Sequence, residues 1–471
     1  MTAPDVRATR EVRLPGSPAS GTRRPGLRPS WRALVVGAAL AALVAGLLGR
    51  FVLVGGEHGG LPPAGTAATV PATTSPAAQV LRLQDELRRY PGRPALLTNL
   101  GLAYLSRAKE TADPSFYVLA DRALTQSYRR DSGDLRTMVG VALLRLSRHE
   151  FRSALALGDR AARSYPDSPD ALGVVVDAQV ELGRYAQANS SAQRMVDLRP
   201  NTASFARISY LRELQGDPAG AVAAMSQASI AGGTSGQDAA YVSSLVGDLE
   251  RAQGHRNAAR EAYTAALGDV PSYGAAQLGL ARLDAEAGRL AAAAAVLAPL
   301  VTRLPLPETV AYYGDVLTAL GRRTEAGQQY ALVRQIEKLQ RASGVVVDYE
   351  AARFEADHAR DPGADRAAAV KLARAAYAAR PTIYGADVLG WALRQAGKPR
   401  AALPWADSAL RFDTKDSALY FHRAAIYTDL GDRAAARRDL RTVLALDPAF
   451  SVRDEAAVRS LVNHLGLAVP R

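Results

Sequence analysis

SALYFHRAAIYTDLGDRAAARRDLRTVLALDPAF, residues 417–450, is the stretch that decides the fold of this chain of 471 residues. It contains two runs with apolar residues at helical spacing, separated by Leu430-Gly431-Asp432 and ended by Asp447-Pro448. Apolar residues that recur every three to four positions form one face of an amphipathic helix. The stretch therefore predicts two helices joined by a tight turn.

The same pattern recurs with a period of about 34 residues back to about residue 94. Prolines that follow the second helix keep this period, and each inter-helix glycine is followed five residues later by an alanine. The prolines are Pro166, Pro200, Pro271, Pro305, Pro381 and Pro448. The glycines are Gly183, Gly216, Gly254, Gly288, Gly321, Gly397 and Gly431, and the alanines are Ala188, Ala221, Ala259, Ala293, Ala326, Ala402 and Ala436.

Each of these three marks has a physical reason. Glycine adopts the left-handed conformation that ends a helix, where a side chain is penalised. Alanine in the second helix lets the two helix axes approach closely. Proline cannot continue the second helix and turns the chain into the next unit. The pattern predicts stacked antiparallel helix pairs.

The repeat resembles the tetratricopeptide repeat (TPR). Seven residues of 417–450 match the positions of its signature: Tyr420, Tyr427, Gly431, Ala436, Leu440, Val443 and Pro448. Units begin near residues 94, 135, 169, 202, 240, 274, 307, 350, 383 and 417. The resemblance implies an all-α fold, an α-solenoid of about ten TPR-like hairpins with capping helices over residues 79–466.

One transmembrane helix is predicted to precede the solenoid. Residues 1–32 form an Arg-rich arm that carries +5 of the net charge of +12, and residues 33–54 are almost uncharged. The positive-inside rule keeps the arm in the cytoplasm and places the array outside it. Residues 55–78, rich in Gly, Pro, Ala and Thr, read as a linker. A cleaved secretory signal is the alternative to a single-pass anchor.

Motifs of catalysis are not recognised in the sequence. The six histidines are scattered, cysteine is absent, and no phosphate-binding loop or metalloprotease motif occurs. We therefore expect a protein that is not an enzyme, with no catalytic residue, no cofactor and no metal site.

The resemblance implies that first-helix residues line a concave groove for a protein or peptide ligand. The groove residues carried over in this way are Asp177, Glu181, Tyr210, Tyr241, Asp248, Arg251, Asp315, Asp387, Trp391 and Arg394. Asp387, Trp391 and Arg394 share one helical face, and an exposed aromatic beside an arginine is typical of an interface hot spot. Alternatively, Trp391 packs against the neighbouring helix.

These observations favour a membrane-anchored, extracytoplasmic scaffold that binds a protein partner and assists assembly of an envelope complex. Two alternatives stay open: an envelope enzyme with an unrecognised site, and nucleic-acid binding by the arm of residues 1–32. Nucleic acid is not the expected partner, because the cations outside the arm are diluted rather than clustered. The sequence leaves the oligomeric state open.

Overall fold

The computed structural model describes residues 75–232, 236–346, 349–360 and 363–468. Every described helix belongs to one compact unit. The predicted arm, the predicted membrane helix at 33–54 and most of the predicted linker lie outside the described residues. Within those that are described, no helix has the length and apolar character needed to cross a membrane.

All regular elements of the described residues are α-helices, 22 in number. In chain order they are α1 (Pro76–Arg89), α2 (Pro94–Thr111), α3 (Ser115–Arg130), α4 (Leu135–Ser147), α5 (Phe151–Ser164), α6 (Pro169–Glu181), α7 (Tyr185–Leu198), α8 (Thr202–Leu214), α9 (Pro218–Gly232), α10 (Gly236–Ala252), α11 (Arg256–Asp269), α12 (Gly274–Glu286), α13 (Leu290–Arg303), α14 (Pro307–Ala319), α15 (Arg323–Ala342), α16 (Tyr349–Asp357), α17 (Ala364–Ala379), α18 (Ile383–Gln395), α19 (Pro399–Ala409), α20 (Ser417–Leu430), α21 (Arg433–Leu446) and α22 (Glu455–Leu465).

The helices pair into ten consecutive hairpins, from α2 with α3 to α20 with α21, and α1 and α22 flank them. Every hairpin begins within four residues of a predicted unit start. The predicted all-helical solenoid is confirmed in the described residues.

The turn glycines and their alanines behave as the pattern predicts. All seven glycines have φ between +67° and +81°, the left-handed region. All seven alanines are at most 2 % exposed. The glycine therefore ends the first helix of each of these hairpins, and the alanine lies at the contact between its two helices.

Small residues in the first helices make room for large side chains of the second helices. A Cβ on Gly247 would lie 2.5 Å from the ring of Tyr263, and one on Gly279 would lie 2.3 Å from it. Tyr263 is fully buried between α10 and α12, and its hydroxyl donates to Asp248 at 2.8 Å. The ring therefore joins one hairpin to the next.

Three of the ten hairpins lack this turn glycine, and two of the three use another residue at positive φ. Ala112 (φ 56°) follows the long helix α2, and His149 (φ 59°) ends the first helix of the second hairpin. The longest helix of the described residues is α15, with 20 residues. Val333 and Ile336 on its apolar face are buried, so this face belongs to the core.

Early and late units of the array contact each other along a line that we call the seam. It consists of four inter-helix turns, at His149, Gly183, Gly216 and Gly254, and four later loops, at Val346, Pro381, Asp413 and Leu446. Each turn meets the loop that precedes the helix six units further along, so contacts at four successive positions keep one register. The backbone N–H of Val346 donates to the carbonyl of Arg148 at 3.0 Å, and His149 Nδ1 lies 3.0 Å from the carbonyl oxygen of Val346.

The three glycines of the seam lie in close contact with backbone carbonyls of the facing loops. A Cβ on Gly183 would lie 2.3 Å from the oxygen of Pro381, and one on Gly216 would lie 2.6 Å from that of Asp413. The corresponding approach of Gly254 to Leu446 is also 2.6 Å. Glycine is required at these turns for the close approach as well as for the left-handed backbone.

Polar side chains also bridge the seam. Arg380, which is buried, forms ion pairs with Glu181 and Glu350, and its guanidinium lies 4.3 Å from the ring centroid of Tyr349. The Tyr185 hydroxyl accepts a hydrogen bond of 3.0 Å from the Ile383 backbone N–H. The contacts of Arg380 with Glu181 and of Ile383 with Tyr185 join residues that are about 200 positions apart and close one superhelical turn of the described array.

Candidate binding cavity

The closed turn surrounds a cavity of about 540 Å³. Eight consecutive first helices, the even-numbered helices from α6 to α20, each contribute residues to its wall. A cavity of this volume falls in the range of ligand sites, about 300–1,000 Å³. It is the concave side of the array, brought together from units far apart in the sequence.

The wall of this cavity is acidic, although the chain as a whole is basic. Eleven carboxylate side chains line the cavity against six arginine and lysine side chains, whereas the complete chain has a formal charge of +12. Four tyrosines and two phenylalanines lie among them. Acidic groups with aromatic rings are the usual surroundings of a bound cation.

Most of the cations on the wall are already neutralised by carboxylates. Arg251 donates to Glu286 at 2.8 Å, and Arg453 lies 2.8 Å from Asp357. Arg353, Arg380 and Lys415 also form ion pairs with carboxylates. The remaining cation, Arg282, lies over the ring of Tyr312 at 5.5 Å and pairs with no carboxylate of the described residues.

Glu308 is a carboxylate of the wall that has no cation at ion-pair distance among the described residues. It lies in the first turn of α14, and its Oε2 atom is buried without a hydrogen-bond partner among the described residues. Burial raises the pKa of Glu308 to about 7, although its own backbone N–H and the Arg282 guanidinium oppose the rise. Glu308, Tyr312 and Asp315 have the spacing i, i+4, i+7, so they share one face of α14.

Five of the ten groove residues predicted from the sequence line the cavity: Glu181, Tyr210, Arg251, Asp315 and Asp387. Of these, Asp315 accepts hydrogen bonds of 2.8 Å from Tyr330 and lies 2.8 Å from Nε2 of His358. The structure therefore brings half of the predicted groove residues to one cavity. Most of their charged side chains are bound by neighbouring side chains.

Three other predicted groove residues pack within the array. Asp177 is 1 % exposed and accepts two hydrogen bonds of 2.7 Å from Arg207. Asp248 accepts from Tyr263, and Tyr241 packs against the apolar cluster around Met225. None of the three lines the cavity.

Of the two alternatives for Trp391, the structure shows the packed one and not the exposed one. Its side chain is 3 % exposed, its Nε1–H donates to Asp357 at 2.7 Å, and its ring stacks on His422 at 4.0 Å. Arg394 lies over the same ring at 5.0 Å and pairs with Asp429 at 2.8 Å. Trp391 packs against the neighbouring helix because its large apolar ring fills the space between α18 and α20.

Asp387 belongs to a buried pair that sequence reasoning missed. Both its carboxylate oxygens lie 2.9 Å from Nδ1 of His422, and Nε2 of that imidazole is buried without a hydrogen-bond partner among the described residues. A carboxylate that orients an imidazole is the arrangement of a general base. His422 is fully buried, however, so this pair is a polar contact of the core.

Glu308, Tyr312 and Arg282 were also missed by the sequence reasoning. The available signal was the spacing on α14, because Glu308 and Tyr312 lie seven and three residues before the predicted groove residue Asp315. In the described residues no group of three or more His, Asp or Glu side chains is placed to hold a metal ion.

Comparisons with known proteins agree with this architecture. Residues 417–450 match the family described as Tetratricopeptide repeat. No curated protein matches the chain in sequence.

Several solved structures are similar in fold. One is a human IFIT1 dimer with m7Gppp-AAAA, with 16 % identity, 71 % of this chain and 76 % of that chain covered, and a TM-score of 0.44. A thermophilic TPR protein in Thermus thermophilus has 18 % identity, 38 % and 92 % coverage, and a TM-score of 0.35. The type IV pilus biogenesis factor PilW has 17 % identity, 44 % and 97 % coverage, and a TM-score of 0.36.

The family match at residues 417–450 is a match in sequence. The hairpin that it covers recurs along the described chain, and seven hairpins share its turn glycine and buried alanine. Residues 417–450 are similar to the tetratricopeptide repeat, and the described chain consists of hairpins of the same kind.

Proposed function

We propose that this protein is a scaffold that binds a segment of a partner protein in the cavity enclosed by its helical array. The observation that carries the proposal is the convergence of eight first helices on one acidic and aromatic cavity. TPR proteins bind protein partners. Of the two carboxylate–imidazole pairs described above, Asp387 with His422 is buried, and both ring nitrogens of His358 beside Asp315 are already in hydrogen bonds. A non-catalytic role is therefore part of the proposal.

The finer part of the proposal concerns location. The chain is anchored by residues 33–54, with the arm of residues 1–32 in the cytoplasm and the array on the far side of the membrane, where it assists assembly of an envelope complex. The support is the uncharged stretch and the cluster of arginines that precedes it. These residues lie outside the described part of the chain.

Site-directed cross-linking tests the binding role. A photo-cross-linking residue replaces Tyr312 on the cavity wall, and a matched variant carries it at Ile230, which is 78 % exposed on α9 and lies outside the cavity. In cells that express the full chain, we expect cross-links to protein from position 312 that are absent from position 230. Equal cross-linking from both positions, or none from position 312, would refute the proposal.

Protease protection tests the location. In membrane fractions, we expect the chain to resist extraction by carbonate. On intact cells whose outer barriers are permeabilised, added protease should remove the array and leave residues 1–32 protected. An array that stays protected until the cytoplasmic membrane is broken would contradict the orientation.

A further inference from the structure

We propose that the occupant of the cavity is a basic peptide segment, whose arginine or lysine side chain is bound by Glu308 beside the ring of Tyr312. This inference rests on the proposed function and adds the chemistry of the partner. Its first support is charge complementarity, because the wall carries eleven carboxylates and six cations, five of them already in ion pairs.

The second support is a set of polar atoms on the wall that have no partner. Glu308 Oε2 and Ser417 Oγ are buried without a hydrogen bond among the described residues, and Ser417 is only 5 % exposed. A buried polar atom without a partner destabilises the folded protein, and a ligand that supplies the missing donor removes this cost. Both atoms accept hydrogen bonds, and a guanidinium or ammonium group supplies several donors at once.

The third support is Arg282, which favours a basic peptide over a simple polycation as the ligand. Its guanidinium contacts the ring of Tyr312 and pairs with no carboxylate of the described residues. Arginine only donates hydrogen bonds, so its ligand must offer acceptors. A basic peptide has both features, cationic side chains for Glu308 and backbone carbonyl oxygens for Arg282, whereas a polyamine has no acceptor carbonyl.

A binding experiment with charged peptides tests the inference. The full chain, held in neutral detergent at pH 8 and low salt, is titrated into two labelled nine-residue peptides, one of alternating Arg and Gly and one with Glu in place of Arg. The net charge of +12 favours the acidic peptide at the protein surface. We expect the basic peptide to bind at least about tenfold more tightly, since charge-assisted hydrogen bonds contribute about 1.5–3 kcal/mol each.

Substitutions locate the binding. Glu308→Gln keeps the shape of the side chain and removes its charge. We expect a five- to tenfold loss of affinity for the basic peptide, because the amide oxygen still accepts a hydrogen bond, which is about half as strong as the charge-assisted one. Glu325→Gln is the matched control, because Glu325 also lies in the first turn of a helix, α15, but pairs with Arg322 away from the cavity. Its affinity should equal that of the wild type.

Three results would overturn the inference: acidic and basic peptides that bind equally well or not at all, a loss of affinity shared by both variants, or spermidine that binds as tightly as the basic peptide. Arg282→Gln is a second variant. We expect it to lower the affinity for the basic peptide and to leave the affinity for spermidine unchanged. Cross-links from position 312 together with a failed peptide experiment would refute the partner chemistry and retain the scaffold role. Absence of those cross-links would refute both.

Discussion

At the residue scale, Glu308 makes the stability of the folded protein depend on pH. Its pKa rises from 4.5 to about 7 because burial disfavours the charged carboxylate. Between these two values the folded protein holds a proton that the unfolded chain releases. The contribution of Glu308 is therefore most favourable below about pH 4.5 and is lost as the pH rises to about 7.

The first prediction follows from that sign. Glu308→Gln is uncharged at every pH, so the stability of the variant relative to the wild type should increase between pH 5 and pH 8, by on the order of 1 kcal/mol. Thermal unfolding of both proteins across this range measures the difference. Glu325→Gln should show no such increase, because Arg322 lowers the pKa of Glu325. A difference that stays constant with pH would contradict the assignment.

The second prediction concerns Trp391. Since its ring is buried and its Nε1–H donates to Asp357, Trp391→Ala should lower the free energy of unfolding by about 3–5 kcal/mol. Arg394→Ala, which removes a partly exposed ion pair, should change it by less than about 1 kcal/mol. Denaturant titration checks both values. A near-neutral Trp391→Ala would show that the ring is not part of the core.

The sequence indicates which residues lie on the first helices and leaves open which of them face the cavity. Asp387 and Trp391 share one predicted face, yet Asp387 lines the cavity and Trp391 packs behind it. The difference depends on His422 and Asp357, which come from other helices. Contacts of this kind are set by the stacking angle of the hairpins, which the local pattern does not contain.

At the element scale, the turn glycines divide into two groups with the same sequence signature. Gly183, Gly216 and Gly254 lie under carbonyls of distant loops, whereas Gly288 and Gly321 have no atom within 4 Å of the Cβ position. Repeats of about 34 residues predict the hairpins and their left-handed turns. They do not predict the seam, because its register is the sum of small rotations over six units.

The third prediction uses these glycines as matched pairs. Alanine at any of these turns must adopt the left-handed backbone conformation, which lowers the free energy of unfolding by about 1–2 kcal/mol. Gly183→Ala and Gly216→Ala should lose a further 1–3 kcal/mol or so, since the methyl group must displace a backbone carbonyl. Thermal unfolding compares them with Gly288→Ala and Gly321→Ala. Equal losses in both groups would mean that the seam is open in solution.

At the scale of the described array, the seam couples parts of the chain that a simple solenoid leaves independent. In an ordinary array each repeat contacts only its neighbours. Here Arg380 pairs with Glu181 and Glu350, so it joins the third hairpin to the eighth. The array is therefore expected to open as one closed turn rather than unit by unit.

The fourth prediction tests this coupling by hydrogen exchange. Arg380→Met leaves the buried Glu181 and the partly buried Glu350 without this cation, a change of about 3–5 kcal/mol. Amide exchange should become faster around residues 181–185, about 200 positions away in the sequence, as well as around 346–350. Arg322→Met, which removes an exposed ion pair with Glu325, should leave both regions unchanged. Faster exchange confined to the neighbourhood of residue 380 would contradict the coupling.

The register of the seam also restricts how this protein can change in length. TPR arrays grow and shrink by duplication or loss of whole units, and the hairpins of residues 274–342 carry no turn of the seam. Adding or removing one unit there would shift all four turns by one loop, because they face loops a fixed six units away. A unit added before residue 94 or after residue 446 leaves the register intact. Gain and loss of repeats among homologues should therefore be confined to the two ends of the array.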